Sequence, residues 1–169
     1  MYQEKYWKEL YQLKVHLNYV ELYLQDSEYK EKAVNIFLAL TSSGSIAAWV
    51  IWQKVAVIWA FIIAASQVVT AIKNFLPYKE RLKALFGLVH DFEDIVLIAE
   101  KKWFDVAEGK LTEEEIHKLQ FDIRSKKTMA LKKHLGSKIL PEKAQLMIKA
   151  QASADVYFNN FYPKEKTNV

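Results

Sequence analysis

Basic side chains concentrate in one stretch of the chain, and their chemistry suits an anionic ligand. Residues 118–149 hold nine Lys or Arg and two acids, a net +7, whereas the whole chain of 169 residues has a net charge of +4. Ammonium and guanidinium groups bind phosphate through charge-assisted hydrogen bonds. The candidate ligand-binding residues are the dense centre of the stretch: Arg124, Lys126, Lys127, Lys132, Lys133 and Lys138. On one helix they point to more than one face, so they cannot all line one groove.

Three interpretations of this basic stretch remain open. It is a solvated helix face, a surface that attracts anionic lipid headgroups, or a site for a nucleotide or oligonucleotide. Aromatic residues near it could stack on bases or belong to the core. These are Phe121, Tyr157, Phe158, Phe161 and Tyr162.

Signals for catalysis are weak. Glu114 and His117 form a single Glu-x-x-His, whereas a di-iron bundle needs two such motifs. His90 and Asp94 lie one turn apart, a spacing more typical of a surface contact than of a metal site. The sequence has no Gly-rich phosphate loop or nucleophile elbow, and it has no Cys for a disulfide or a Cys-based zinc site. We therefore predict no enzyme activity, no catalytic residues, no metal and no cofactor.

The chain also has a long segment almost without charge. Residues 33–72 contain one charged side chain, Lys54. A bilayer core of about 30 Å needs about 20 apolar helical residues. The pattern predicts a transmembrane hairpin over 33–75, with spans 33–52 and 55–74 joined near Trp52 to Lys54. A buried hairpin in a soluble helical bundle is the alternative.

The flanks of this hairpin predict its orientation. One end has only Lys54, whereas basic residues cluster at the other: Lys30, Lys32, Lys73, Lys79, Arg81 and Lys83. The positive-inside rule then places both termini in the cytoplasm. Because residues 1–32 lack an apolar stretch, we expect no cleavable signal peptide.

Polar residues interrupt the apolar spans. The candidate pore-lining residues are Ser42, Ser45, Ser66, Gln67 and Thr70. Polar groups in lipid are costly unless they meet water or partners. The alternatives are hydrogen bonds between helices or to the residue's own backbone. Gln67 is the strongest candidate, because its amide is the hardest to satisfy locally.

The remaining residues predict an all-α fold in which the hairpin continues through long cytoplasmic helices into a helical bundle. The domains are a cytoplasmic N-terminal helix (1–32), the hairpin (33–75) and a cytoplasmic helical region (76–169). Heptad seams from Tyr6 to Leu24 and from Leu82 to Val106 favour an antiparallel pair. Gly109 ends the second of these helices. Thr112 and Glu115 form a capping box, Gly136 suits a helix C-terminus, and Pro141 is predicted to start a last helix that ends near Phe158.

Three short segments carry a resemblance to a known family. They are Leu40-Thr41-Ser42-Ser43-Gly44-Ser45-Ile46-Ala47-Ala48-Trp49, Ala64-Ala65-Ser66-Gln67 and Lys73-Asn74-Phe75-Leu76-Pro77-Tyr78. With them, residues 30–85 resemble the SLATT-like group of small bacterial membrane proteins. The chain is also similar in size and layout to the membrane effectors of Hailong anti-phage defence systems. Residues beyond 110 carry no such resemblance.

The resemblance implies a function in anti-phage defence. It implies a pore or ion channel in the bacterial inner membrane, gated by a nucleotide or a short single-stranded DNA oligomer, with a nucleotidyltransferase as functional partner. Opening would depolarise the membrane and arrest growth. One hairpin cannot enclose a pore, so we expect a homo-oligomer, with four copies as the smallest useful ring. The alternatives are a non-conducting membrane anchor or scaffold that recruits a partner protein, and a fully soluble helical bundle.

Overall fold

The computed structural model describes residues 2–51, 56–75 and 78–162, with the side chains at 43–51, 56, 59, 74, 75 and 78 left out. Over this part of the chain it contains five helices and no strand, which confirms the all-α prediction. The helices are α1 (Tyr2–Ile51), α2 (Ala56–Phe75), α3 (Tyr78–Ala107), α4 (Glu113–Leu135) and α5 (Ala144–Phe161).

The chain divides into two units. Unit 1 comprises Met1–Leu24 and Lys83–Val169, and unit 2 comprises Gln25–Leu82. Helix α1 contributes residues to both, so the expected boundary between an N-terminal helix and a membrane span at residue 32 is not a helix end. The reason is local: residues 25–40 contain no Gly or Pro that would interrupt a helix.

Unit 1 is a helical bundle built on the first part of α1 and on α3. The Tyr6 hydroxyl donates a hydrogen bond to the Ala99 carbonyl (3.0 Å), and the Gln3 amide donates to the Val106 carbonyl (2.9 Å). Since the lower number on α1 pairs with the higher number on α3, the two helices are antiparallel, as expected. Most residues of the two predicted seams are buried: Tyr6, Leu10, Leu13, Leu17, Val20, Leu85, Val89, Phe92, Val96, Ala99 and Val106.

Helix α5 begins three residues later than predicted and ends later too. The Tyr19 hydroxyl donates to the Pro141 carbonyl (3.1 Å) and accepts from the Lys143 backbone N–H (3.0 Å). These bonds accompany an extended backbone at Lys143, which is the N-cap residue of α5. Pro141 therefore lies in the connecting loop rather than in the first turn.

The start of α4 follows the predicted capping box. Glu115 donates its backbone N–H to the Thr112 hydroxyl (3.3 Å), and Thr112 donates its own N–H to a Glu115 carboxylate oxygen (2.8 Å). At the other end of α4, Gly136 has φ of 58° and donates its N–H to the Lys132 carbonyl (3.0 Å). A residue with a side chain adopts this left-handed conformation only at a cost, so Gly136 fits the helix end.

Removal of the Thr112 side chain is expected to destabilise unit 1. Thr112→Ala removes the acceptor for one orphan N–H of α4, and such substitutions cost about 1 kcal/mol. Denaturant unfolding of the full chain measures this loss. Thr128→Ala in the same helix is the matched control, because its exposed hydroxyl only bonds the Arg124 carbonyl of its own helix. An equal loss in both variants would contradict the assignment of Thr112 as a cap.

Unit 2 contains the second part of α1 and helix α2. The Lys73 ammonium donates to the side-chain carbonyl of Asn35 (2.5 Å), which links these helices. Over the residues that the structure describes, no helix combines the length and apolar character needed to cross a membrane. That finding does not support the expected spans 33–52 and 55–74. The expected turn from Trp52 to Lys54 lies outside the described residues.

Candidate functional site

Two of the predicted cations attach α4 to α1. Arg124 contacts one Glu9 carboxylate oxygen through Nη2 (2.6 Å) and Nε (2.9 Å). One turn further along α4, the Lys127 ammonium lies 3.0 Å from Nδ1 of His16. These two side chains therefore connect neighbouring helices within unit 1.

The Lys127 and His16 pair lies in a partly buried environment. Burial is the largest cause that lowers the pKa of Lys127, with a further contribution from Arg124. Burial also lowers the pKa of His16, and the neighbouring Lys127 charge adds to this effect. Both shifts disfavour a second positive charge here, so a neutral His16 is the natural acceptor for the Lys127 ammonium.

Two further basic side chains of α4 converge on one carboxylate of α3. The Lys133 ammonium and the His134 Nε2 each lie 2.9 Å from the same Asp91 oxygen. The hydrogen bond from Lys133, followed by that from His134, lowers the pKa of Asp91. The His134 ring packs on Gly87, where an added Cβ would lie 2.5 Å from the ring carbon Cε1. A glycine at this position thus permits the contact between the two helices.

The lowered pKa of Asp91 predicts how the stability of unit 1 depends on pH. Because its folded-state pKa lies below its ordinary value, 3.8, Asp91 contributes stability above that value and loses it as the pH falls through the folded pKa. Asp91→Asn is therefore expected to lower stability at pH 6 and to flatten its decline below pH 4, measured as the melting temperature against pH. Asp94→Asn is the control, since Asp94 forms no ion pair within the described part of unit 1. Identical pH profiles for Asp91→Asn and the parent chain would contradict the prediction.

A cleft of about 300 Å³ opens between α3 and α4 of unit 1. Two of the predicted cations, Lys126 and Lys133, line it one heptad apart on α4. Asp91 and Asp94 line it from α3, and the other lining residues are Ile95, Met129 and Ala130. The charges of the cleft therefore balance, so an anion that enters it must compete with Asp91 for Lys133. Lys126 is likewise engaged, by Asp122 at 2.8 Å.

The last two predicted cations behave differently. Lys132 and Lys138 are exposed, and neither forms an ion pair within the described residues. Lys132 lies in the last turn of α4, and Lys138 lies in the loop that follows. The tertiary structure thus separates the six basic residues into four that contact a side chain of the same unit and two that are open to solvent.

The aromatic residues near the basic stretch do not converge on the cleft. Phe158 is only 5% exposed and packs in the core, where its ring centroid lies 4.9 Å from that of Trp7. Tyr157 donates a hydrogen bond to Glu100 (3.1 Å), and its pKa is raised to about 12, first by burial and then by that bond. Phe121 and Phe161 are exposed, but neither lines the cleft. Base stacking beside the cleft therefore has no aromatic platform among the residues that line it.

The candidate pore-lining residues of unit 2 differ in exposure and in hydrogen bonding. Ser66 is buried, and its hydroxyl donates to the Ile63 carbonyl (2.8 Å). Thr70 and Ser42 are exposed and donate to the Ser66 and Leu38 carbonyls (2.8 and 2.7 Å). The Gln67 side chain is exposed and has no hydrogen-bond partner among the described residues. The side chain of Ser45 lies outside the described residues.

The acidic and histidine partners of the basic stretch were not predicted from the sequence. Arg124 and Glu9 are 115 positions apart, and Lys133 and Asp91 are 42 apart. Helical spacing reports only on neighbours within a few positions, so it carries no signal for these pairs. Within the described residues, no group of three His, Cys, Asp or Glu side chains could hold a metal ion.

The geometry defines an all-α protein with one folded helical bundle and one apolar helical unit. Comparison with models of protein families, with curated proteins and with solved structures finds no match for this chain.

Proposed function

We propose that this chain is a membrane effector of bacterial anti-phage defence. In this proposal residues 33–75 reside in the inner membrane with both termini in the cytoplasm, several copies assemble into a pore, and unit 1 binds an anionic nucleotide or oligonucleotide that gates it. A nucleotidyltransferase would supply the signal, and opening would depolarise the membrane and arrest growth. The resemblance of residues 30–85 to SLATT-like proteins motivates the defence role.

The location in a membrane is supported by the exposure pattern of unit 2, in which apolar side chains are exposed and a polar one is buried. Ser66 is the single buried side chain among those described in this unit, whereas large apolar side chains lie outside. Eight of them are at least half exposed: Tyr29, Ile36, Leu40, Val57, Ile58, Phe61, Val68 and Ile72. Scattered exposed apolar residues are ordinary, but such a concentration marks a surface that is covered by lipid or by protein.

The hydrogen bonds of unit 2 are also those that a lipid environment requires. The hydroxyls of Thr41, Ser42, Ser66 and Thr70 each donate to a carbonyl three or four residues earlier in the same helix. Such bonds remove the need for water, so these residues are compatible with a bilayer. The exposed amide of Gln67 is different, because in lipid it requires a polar partner from another copy or from a water-filled pore.

Gating requires that ligand binding in unit 1 changes the pore. Moving a closed pore from 1% to 99% open takes about 5.5 kcal/mol of differential binding. Several copies would share this requirement; four copies, with eight membrane helices, form the proposed ring. The cleft between α3 and α4 is the proposed ligand site, because an anion that takes Lys133 from Asp91 weakens a contact between these two helices.

The test uses the full chain in two measurements. Alkaline extraction of bacterial membranes reports whether the protein is embedded, and ion flux from liposomes with and without a short DNA oligomer reports conduction. We expect a protein that resists extraction and a flux that the oligomer alters. Gln67→Leu should lower the flux at least about tenfold if the amide lines the pore, and Val68→Leu is the control. Release by alkali, or silence under all conditions, would refute the pore.

The alternative is a non-conducting membrane scaffold whose unit 1 recruits a partner protein. A specific observation favours it: four of the six candidate cations already contact side chains of unit 1, at Glu9, His16, Asp91 and Asp122. A protein that resists extraction, yet conducts no ions with or without the oligomer, would support this alternative.

A further inference from the structure

The loop after α4 presents an unusual combination of side chains. Ile139 is 89% exposed, more than any other large apolar side chain in the described residues. It follows Lys138 directly, and Lys132 lies in the last turn of α4. Of the six candidate ligand-binding residues, these two have no side-chain partner within the described part of unit 1. An isoleucine this exposed contributes little to the stability of the bundle, so its side chain is available to a partner.

The loop is held in place by α1. Tyr19 bonds to both Pro141 and Lys143, and the Lys143 ammonium lies 4.2 Å above the Tyr23 ring. Leu24, the next residue, is the last residue of α1 in unit 1. The loop is therefore fixed to the part of α1 that lies ten residues before the charge-free segment begins at Ala33.

We propose that residues 132–139 form a docking surface for an anionic lipid bilayer, in which Lys132 and Lys138 contact lipid phosphates and Ile139 enters the interfacial region. This inference rests on the proposed function in one respect, the presence of residues 33–75 in the same membrane. Charge complementarity carries it, together with the adjacent apolar side chain, because basic and apolar residues together are what an anionic interface binds. Glu142 is exposed in the same loop and opposes binding, so the two free lysines must outweigh it.

The surface differs in position and in chemistry from the cleft between α3 and α4. Lys126 and Lys133 line the cleft and have acidic partners, whereas Lys132 and Lys138 lie outside its lining. The basic stretch would then serve two anions, a ligand in the cleft and lipid phosphates at the loop. Docking would hold one end of α4 against the membrane.

The absence of Cys from the chain allows a direct test. Ser137→Cys places a single label in the loop, and Ser153→Cys places one on the exposed face of α5 as the matched control. The full chain is reconstituted in vesicles of phosphatidylglycerol or phosphatidylcholine that carry a headgroup quencher. We expect strong quenching of the Ser137 label in phosphatidylglycerol, weaker quenching in phosphatidylcholine, and little quenching of the Ser153 label in either.

Variants of the docking residues sharpen the result. Each lysine near an anionic surface strengthens binding about fivefold. The double variant Lys132→Gln with Lys138→Gln should therefore lower the ratio of docked to free protein about 25-fold. Ile139→Asp should also abolish the quenching. Equal quenching of both labels, or quenching that is independent of lipid charge and of these substitutions, would overturn the docking surface. Loss of oligomer binding in the double lysine variant with unchanged quenching would assign the lysines to nucleic acid instead.

Alkaline extraction of the same samples separates this inference from the proposed function. A protein that resists extraction while its Ser137 label stays in water refutes the docking surface alone. A protein that is released by alkali, but whose label is quenched by anionic vesicles, refutes the membrane-embedded pore and leaves the docking surface intact. Release together with an unquenched label refutes both.

Discussion

Phe92→Ala is expected to lower the free energy of unfolding of unit 1 by about 3–5 kcal/mol. Phe92 lies on α3, is 1% exposed and belongs to the core that joins α3 to α1, α4 and α5. The substitution removes the stabilisation gained from burying an aromatic ring, and it leaves a cavity that the helices fill only in part. A loss of this size changes the ratio of folded to unfolded protein more than a hundredfold.

Phe104→Ala is the matched control for this prediction. Phe104 is the same residue type on the same helix, but it is 61% exposed. Its substitution should change stability by less than about 0.5 kcal/mol. Denaturant unfolding can be followed by tryptophan fluorescence, because Trp7 and Trp103 pack in unit 1 with ring centroids 4.9 Å apart. Similar losses in both variants would show that α3 does not pack as the structure describes.

Charge reversal in the cleft is expected to have the largest effect on ligand binding. Lys126→Glu with Lys133→Glu turns a cleft with two positive and two negative side chains into one with four negative side chains. The double variant should therefore bind a short DNA oligomer about 100-fold more weakly than the parent chain, since like charges in a binding site cost several kcal/mol. Fluorescence anisotropy with a labelled oligomer measures the affinity, and growth of expressing cells measures toxicity.

Lys118→Glu is the control for the cleft. It lies on the same helix, is exposed, and does not line the cleft. Because Lys133→Glu also breaks the contact with Asp91, the melting temperature of each variant must accompany the binding curve. A double variant that stays folded, binds the oligomer as the parent does and retains its toxicity would refute the sensing role of α4.

The local features of unit 1 could be predicted from the sequence. The heptad seams on α1 and α3, the capping box at Thr112 and the helix end at Gly136 are all present in the structure. Each of them depends on residues that lie within a few positions of one another, where helix geometry alone decides which side chains are neighbours. The start of α5 differs from the prediction, and the loop before it is bonded to Tyr19, a residue 122 positions away from Pro141 that local sequence patterns do not report.

The candidate sites were predictable only as sets of residues. The sequence places six basic residues on and just after α4, yet it contains no sign that Arg124 pairs with Glu9 or that Lys133 pairs with Asp91. Likewise, a spacing of four along α2 groups Ser66 with Thr70, but packing buries Ser66 and leaves the adjacent Gln67 exposed.

The sequence alone determined the all-α character of this protein, the composition of its apolar segment and the location of its excess positive charge, because these depend on periodicity and composition over short distances. The tertiary structure decided which charges remain free. Electrostatic pairing depends on the positions of atoms in space, so residues from distant parts of the chain neutralise three of the basic residues or hold them by hydrogen bonds. The fourth, Lys126, pairs with Asp122 one turn away on the same helix. Of the six candidate cations, Lys132 and Lys138 are left without such a partner among the described residues, and Lys138 directly precedes the exposed Ile139.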